Sequence, residues 1–274
     1  MTKIKRQFLS GPYIVWVIGF IALPILMICF YGITDPNGNF TFENLLAITQ
    51  PVHVKSLWLS VKLAFLCTGI CLLLSYPLAM ILNSFKLKRQ SFVVFVFVLP
   101  MWMNFMLRIL AWQLLLSNNG ILNSLFSAIG LPKMQLLYTP AAVVFGMVYD
   151  FLPFMILPIY NAMQRIGADV TDAASDLGAS RLQVFIKIIF PLTISGVLSG
   201  IIMVFVPALT SFVISNLLGG GKVLLIGNVI EQEFMQNMDW HMGSGLSIVL
   251  MIFVIASMTF MNAQNKDGEG TAVW

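Results

Sequence analysis

The sequence predicts an all-α integral membrane protein of six kinked helical spans, and three observations predict it. Only 9% of the 274 residues are charged and 59% are apolar, against about 25% and about 45–50% in soluble domains, so a water-soluble globule would lack the charge to cover its surface. The apolar residues gather in blocks of about 20, the number a helix rising 1.5 Å per residue needs to cross roughly 30 Å of hydrocarbon. Basic residues alternate between successive loops, as the positive-inside bias requires. Six such blocks leave only short, scattered loops, so residues 1–274 are read as a single transmembrane domain with lipid as its main solvent. This excludes a secreted enzyme, a cytosolic nucleotide-binding protein and a nucleic-acid-binding module.

The first block, residues 13–31, follows Lys3, Lys5 and Arg6. It is longer than a signal-peptide core and no small-x-small cleavage pattern follows it, so it is read as a retained span. The later spans are expected at 57–82, 92–116, 140–162, 192–218 and 245–261. With the N-terminus inside, the inner segments hold ten cations: the leader, Lys86, Lys88 and Arg89, then Arg165, Arg181 and Lys187, and finally Lys266. The outer loops hold three, Lys55, Lys133 and Lys222. Both termini are therefore expected in the cytoplasm, and the net charge of +4 reflects topology rather than an anionic partner. The outer loops also carry five acids, Asp35, Glu43, Glu231, Glu233 and Asp239, a balance that suits a solvated face and weakly favours a cationic visitor.

Proline marks every span but the last: Pro24, Pro77, Pro100, Pro153 with Pro158, and Pro207. Each withholds a backbone N–H and bends its helix, which lipid tolerates only where neighbouring helices or water satisfy the freed carbonyl. Bent helices around a cavity suit a transporter, although proline is also simply commoner in membrane helices. Gly196 and Gly200 form a small-xxx-small face suited to close helix packing. Cys29, Cys67 and Cys71 fall inside apolar blocks as free thiols, and His53 and His241 are read as loop residues with no metal-ligand spacing.

Between the fourth and fifth spans, residues 163–191 carry Asp169, Asp172 and Asp176 at i, i+3, i+7, one face of a short helix whose N-terminal dipole favours carboxylates. Gly178 can end that helix. A second amphipathic turn then presents Leu182, Phe185, Ile186 and Ile189 before Pro191 opens the next span. The product is a helix, a turn and a helix on the basic side, with Ala173, Ala174 and Gly178 small enough to let another protein approach. These residues resemble the EAA loop of the integral subunits of binding-protein-dependent ABC importers. That family's form is Glu-Ala-Ala, three residues, Gly, nine residues, Ile, one residue, Leu-Pro. Here Asp172-Ala173-Ala174 is followed at the same spacings by Gly178, Ile188 and Phe190-Pro191. Asp172 for Glu keeps the charge on a shorter arm, and Phe190 for Leu keeps the apolar character.

The resemblance extends to permeases of spermidine/putrescine importers through residues 99–104 with Arg108-Ile109, 116–123, 138–143 with 152–155, and 219–230. It implies the type I importer permease fold with a cytoplasmic coupling loop in which Asp172, Ala173, Ala174, Gly178, Ile188 and Pro191 meet an ATPase. It also implies a second similar permease subunit, cytoplasmic ATPase subunits and an extracytoplasmic polyamine-binding protein as partners. The chain is thus expected to be a non-catalytic subunit that needs no cofactor of its own. Gly219-Gly220-Gly221-Lys222 is not a phosphate-binding loop, because Val223 stands where Ser or Thr is needed; it reads as a flexible gate or a plain turn. Two charges lie deep in spans, Arg108 and Asp150, each costing about 2.5–3.5 kcal/mol at the bilayer centre on insertion scales. Asp150 is expected either to line a cation pathway, with Tyr149, Trp102 and Tyr160 offering cation–π faces, or to pair with Arg108 as a helix brace. A permease for another solute, an ATPase-independent channel or carrier, and an intramembrane enzyme are the rival readings. The last two lack an inverted repeat and a constellation of reacting groups, respectively.

Overall fold

The computed structural model describes residues 11–84, 95 and 99–263. Among them the backbone is helical apart from turns and one isolated antiparallel bridge between Thr34 and Phe40. The helices are α1 Gly11–Gly32, α2 Glu43–Leu46, α3 Pro51–Ser84, α4 Phe105–Leu116, α5 Ile121–Ala128, α6 Pro140–Gln164, α7 Ala168–Asp176, α8 Arg181–Thr210, α9 Val213–Gly219, α10 Ile226–Met235 and α11 Trp240–Ala263. Five of these, α1, α3, α6, α8 and α11, are long and apolar enough to cross a membrane. The expected span at 92–116 falls partly outside the described residues. Its described end is the 3-10 turn Leu99–Trp102 and α4, whose twelve residues reach only about 18 Å at 1.5 Å each.

Among the described residues internal packing gives two compact units, one of residues 11–55 with Val229–Ala256, the other of Ser56–Asn228 with residues 257–263. In the second unit α6 and α8 form the central pair. Their close approach follows from glycine: a Cβ at Gly196 would lie 2.6 Å from the Pro158 carbonyl oxygen, and one at Gly200 2.7 Å from Met155 Sδ. That is the packing expected of this small-residue face. Helix α6 starts at Thr139, whose hydroxyl accepts from Ala142 N–H at 3.2 Å with Pro140 in the first turn. Helix α4 starts at Asn104, whose side chain accepts from Met106 and Leu107 N–H.

Helix α3 is apolar all round, so burial is sorted by size instead of polarity. Most of its buried positions are small, Ser56, Ser60, Ala64, Cys67, Thr68, Cys71, Ser75 and Ala79, joined by the larger His53, Val61, Leu63, Tyr76 and Leu82, while Trp58, Phe65, Leu66, Leu73, Leu74 and Ile81 face outward. Small residues let backbones meet, and large apolar ones suit lipid. The buried hydroxyls return to the backbone where they can: Ser60 Oγ donates to Ser56 O at 2.9 Å and accepts from Ile226 N–H at 2.8 Å, and Thr68 Oγ1 donates to Ala64 O at 2.7 Å.

Three sequence expectations are corrected. First, Pro191 does not open a new span: α8 runs unbroken from Arg181 to Thr210 through a π-turn at Phe185–Ile189. The turn carries an i−5 bond from Phe190 N–H to Phe185 O, which absorbs the bond Pro191 cannot make. The same device appears in α1, where Leu23 N–H bonds Ile18 O just before Pro24. Second, the expected span 192–218 is two helices, because the chain turns extended at Ser211 after Pro207. The broken backbone is satisfied within the protein, Asn228 Nδ2 donating to Phe212 O at 3.0 Å. Third, His53 and His241 lie in α3 and α11, not in loops. His53 Nδ1 donates to Ala47 O at 2.7 Å and His241 Nδ1 to Thr34 O at 2.6 Å, so each satisfies a carbonyl at a chain turn.

Candidate functional site

The segment between α6 and α8 folds as the aspartate spacing dictates. Helix α7 carries Asp169 in its first turn and ends in a Schellman motif: Ala179 N–H bonds Ala174 O at 3.1 Å and Gly178 N–H bonds Ser175 O at 2.9 Å, with Gly178 at φ +82°. A side chain at Gly178 would be strained in that left-handed conformation. Ser180 then caps α8 reciprocally, its Oγ accepting from Gln183 N–H at 3.4 Å while Gln183 Oε1 accepts from Ser180 N–H at 2.8 Å. The helix stop and start are thus welded into one tight corner. Asp172, Ala173 and Gly178 are exposed, Ala174 and Ile188 half-buried, and Pro191 exposed. Leu177 stands at the tip with 90% of its surface free. The corner, capped on both sides, thus holds an apolar side chain out from the body of the chain.

The root of α8 is tied to α3. Tyr76 and Thr193 are both buried, and the Tyr76 hydroxyl lies 2.6 Å from Thr193 Oγ1. The Tyr76 ring stands edge-on to Phe185 at 5.5 Å and 6.0 Å from the ring of Phe190. Neither residue is singled out by the sequence alone; the available signal is a lone tyrosine beside Pro77 and a threonine two residues after Pro191.

Of the five pathway candidates the structure joins two directly. Arg108 Nη2 lies 2.9 Å from Asp150 Oδ1, with 9% and 2% of their side chains exposed. This is a charge contact outside hydrogen-bond angles, so Arg108 Nε and Asp150 Oδ1 both lack a hydrogen-bond partner. Tyr149, one residue along α6, stands edge-on to Trp112 of α4 at 5.3 Å. Tyr160 is buried and accepts from Gln164 Nε2 at 2.6 Å, ten residues or about 15 Å along α6 from Asp150. Trp102 lies in the 3-10 turn before α4, 75% exposed, against Phe95. The aromatics therefore have separate partners and do not box Asp150.

The glycine run after α9 is a bonded turn. Gly220 and Gly221 take φ +55° and +75°, Gly220 N–H bonds Asn216 O at 3.2 Å and Lys222 N–H bonds Gly219 O at 3.0 Å. Ser215 Oγ donates to Val223 O, and Asn228 Oδ1 accepts from Leu225 N–H at 3.0 Å. Of the two sequence readings, this bonding favours the plain turn.

Bent apolar helices, a small-residue seam and a projecting corner before the proline-marked α8 define a membrane permease of the importer type. Residues 72–266 match the model of the binding-protein-dependent transport system inner membrane component, and the chain belongs to that family. It is a multi-pass protein of the cell membrane. It is 37% identical over 92% of its length to the spermidine/putrescine transport system permease protein PotB of Haemophilus influenzae, covering 91% of that protein. Its identity to the PotB of Escherichia coli is also 37%, over 86% of this chain and 89% of that one. Its fold superimposes with a TM-score of 0.78 on a chain of a bacterial alginate ABC transporter solved in complex with an alginate pentasaccharide-bound periplasmic protein, at 18% identity and 98% coverage of both chains.

Proposed function

We propose that the chain is a permease subunit of an ATP-driven importer that moves polyamines such as spermidine and putrescine by alternating access. The observation that carries the cargo is 37% identity sustained over 92% of the chain to a permease named for those two amines. The fold alone does not choose a cargo, since an alginate transporter chain shares it at 18% identity. The rival reading, a permease of the same family for another solute, differs in cargo and not in mechanism.

Energy enters through the corner formed by α7 and the start of α8. Cytoplasmic ATPase subunits grip Leu177 and the exposed Asp172 face, and closure of the ATPase pair turns the lever and with it α8. A second, similar permease subunit completes the pathway, and an extracytoplasmic binding protein delivers the amine. Both termini lie in the cytoplasm, as the distribution of Lys and Arg supports. The Arg108 and Asp150 pair supports a bracing role for these two charges between α4 and α6.

In proteoliposomes holding the whole complex, the polyamine-loaded binding protein is expected to stimulate ATP hydrolysis, and the protein loaded with other solutes is not. Asp172→Lys and Gly178→Trp should abolish uptake while leaving membrane insertion intact. Normal uptake by both variants would refute the lever, and stimulation by a non-amine solute would refute the cargo.

A further inference from the structure

We propose that Tyr76 is the positioning residue that passes movement of the α7–α8 lever into α3, by latching the π-turn at the root of α8. The inference rests on the coupling role given to that lever above. A regular α-helix carries rotation along its length because every turn is bonded to the next. At Phe185–Ile189 the bonding slips to i−5, and two residues later Pro191 offers no N–H to the preceding turn. Left alone, this joint would absorb a push on the lever as bending.

Tyr76 closes the joint from outside. Its ring meets Phe185 on the lever side of the π-turn and Phe190 on the span side. Its hydroxyl reaches Thr193 at 2.6 Å, and Thr193 Oγ1 donates back to Ile189 O, the last π-turn residue, at 2.8 Å. Because Thr193 spends its proton on that carbonyl, Tyr76 is the donor, and the proton chain runs from Tyr76 through Thr193 to Ile189. Thr193 is fully enclosed and Tyr76 8% exposed, so water does not compete for these bonds. Pro77, the next residue, loosens α3 at the same level. One side chain thus links the soft joint of α8 to the soft joint of α3.

The π-turn by itself is only the way a helix carries a proline. Ile18–Ala22 has the same geometry ahead of Pro24, and no residue of either turn is itself buried. The latch is what distinguishes the turn at Phe185.

The test measures transport per ATP hydrolysed in the full reconstituted complex. Tyr76→Phe and Thr193→Val remove the hydroxyl bond and keep the bulk; Thr193→Ser keeps the bond. The two deletion variants should assemble and show unaltered basal ATP hydrolysis, yet lose about fivefold in amine moved per ATP, the scale of one buried neutral hydrogen bond. Thr193→Ser should match the unmodified protein, and the double variant Tyr76→Phe with Thr193→Val should be no worse than Thr193→Val alone, since that change already deletes the bond that Tyr76→Phe removes. An unchanged ratio in Tyr76→Phe, losses that multiply in the double variant, or failure of both single variants to assemble would each overturn the latch. An unmodified complex whose ATP hydrolysis ignores the loaded binding protein would instead overturn the coupling reading, and the latch with it.

Discussion

Arg108 and Asp150 show what a single charged residue costs and gains inside lipid. Each is unfavourable to insert alone, and their contact at 2.9 Å, closed off from solvent, offsets that cost while leaving two polar atoms without hydrogen bonds. Breaking a buried pair by removing one partner is worse than removing both, because one charge is stranded. Arg108→Met should therefore destabilise the folded protein by about 3–5 kcal/mol, and Arg108→Met with Asp150→Leu should recover most of it, as read by unfolding in detergent. The sequence shows the two charges and offers their pairing as one of two readings; the choice between them depends on how α4 and α6 register in depth. Asp35 is the opposite case, a surface carboxylate in a turn. The Asn39 N–H, with help from the Asn39 side chain and Asn37 N–H, holds its pKa below the ordinary carboxylate value. The turn's stabilisation is then present above the ordinary value and fades as pH falls through the lowered one. The Asn39 amide resonance should shift with a midpoint below about 3.9, and a midpoint at or above that value would contradict the bonding.

At the scale of elements, the approximate place of the five long helices among the described residues follows from apolar length, and the α7 corner follows from three aspartates and one glycine. Two of the three corrected details lie at prolines. Pro191 and Pro24 are absorbed by π-turns, whereas Pro207 is followed by a true break at Ser211, beside which the Phe212 carbonyl finds Asn228. Sequence shows the missing N–H in each case, but only the surroundings decide whether the helix bends or stops. Gly196 and Gly200 look equivalent in sequence and are not equivalent in space. A methyl at Gly196 would press on the Pro158 backbone carbonyl, which cannot move aside; one at Gly200 would press chiefly on Met155 Sδ, which can. Gly196→Ala should thus cost about 1–3 kcal/mol and clearly more than Gly200→Ala, compared by thermal unfolding of the purified protein. Equal losses would mean that the α6–α8 seam is looser than these distances imply.

For the whole molecule, the large apolar surface left outside is the surface that lipid covers: α1 is essentially unburied, and Trp58, Phe65 and Leu73 point away from the core of α3. Leu177, exposed among aspartates on a capped corner, is the side chain that the proposed function gives to a cytoplasmic ATPase. A Leu177→Cys variant in intact cells should react only with thiol reagents that reach the cytoplasm. Labelling by an impermeant reagent added outside would reverse the topology and remove the lever from the ATPase.

What the sequence determined by itself is the solvent, the number of long apolar stretches, the loop between the fourth and fifth spans and the family, since these depend on composition and on spacing along one chain. What only the tertiary structure decided is which apolar face is inward, which charges and hydroxyls meet, and which prolines bend rather than break. In lipid both faces of a helix are apolar, so hydrophobic periodicity carries no inward direction. Size, and the need to satisfy each freed polar group from a neighbouring helix, replace it.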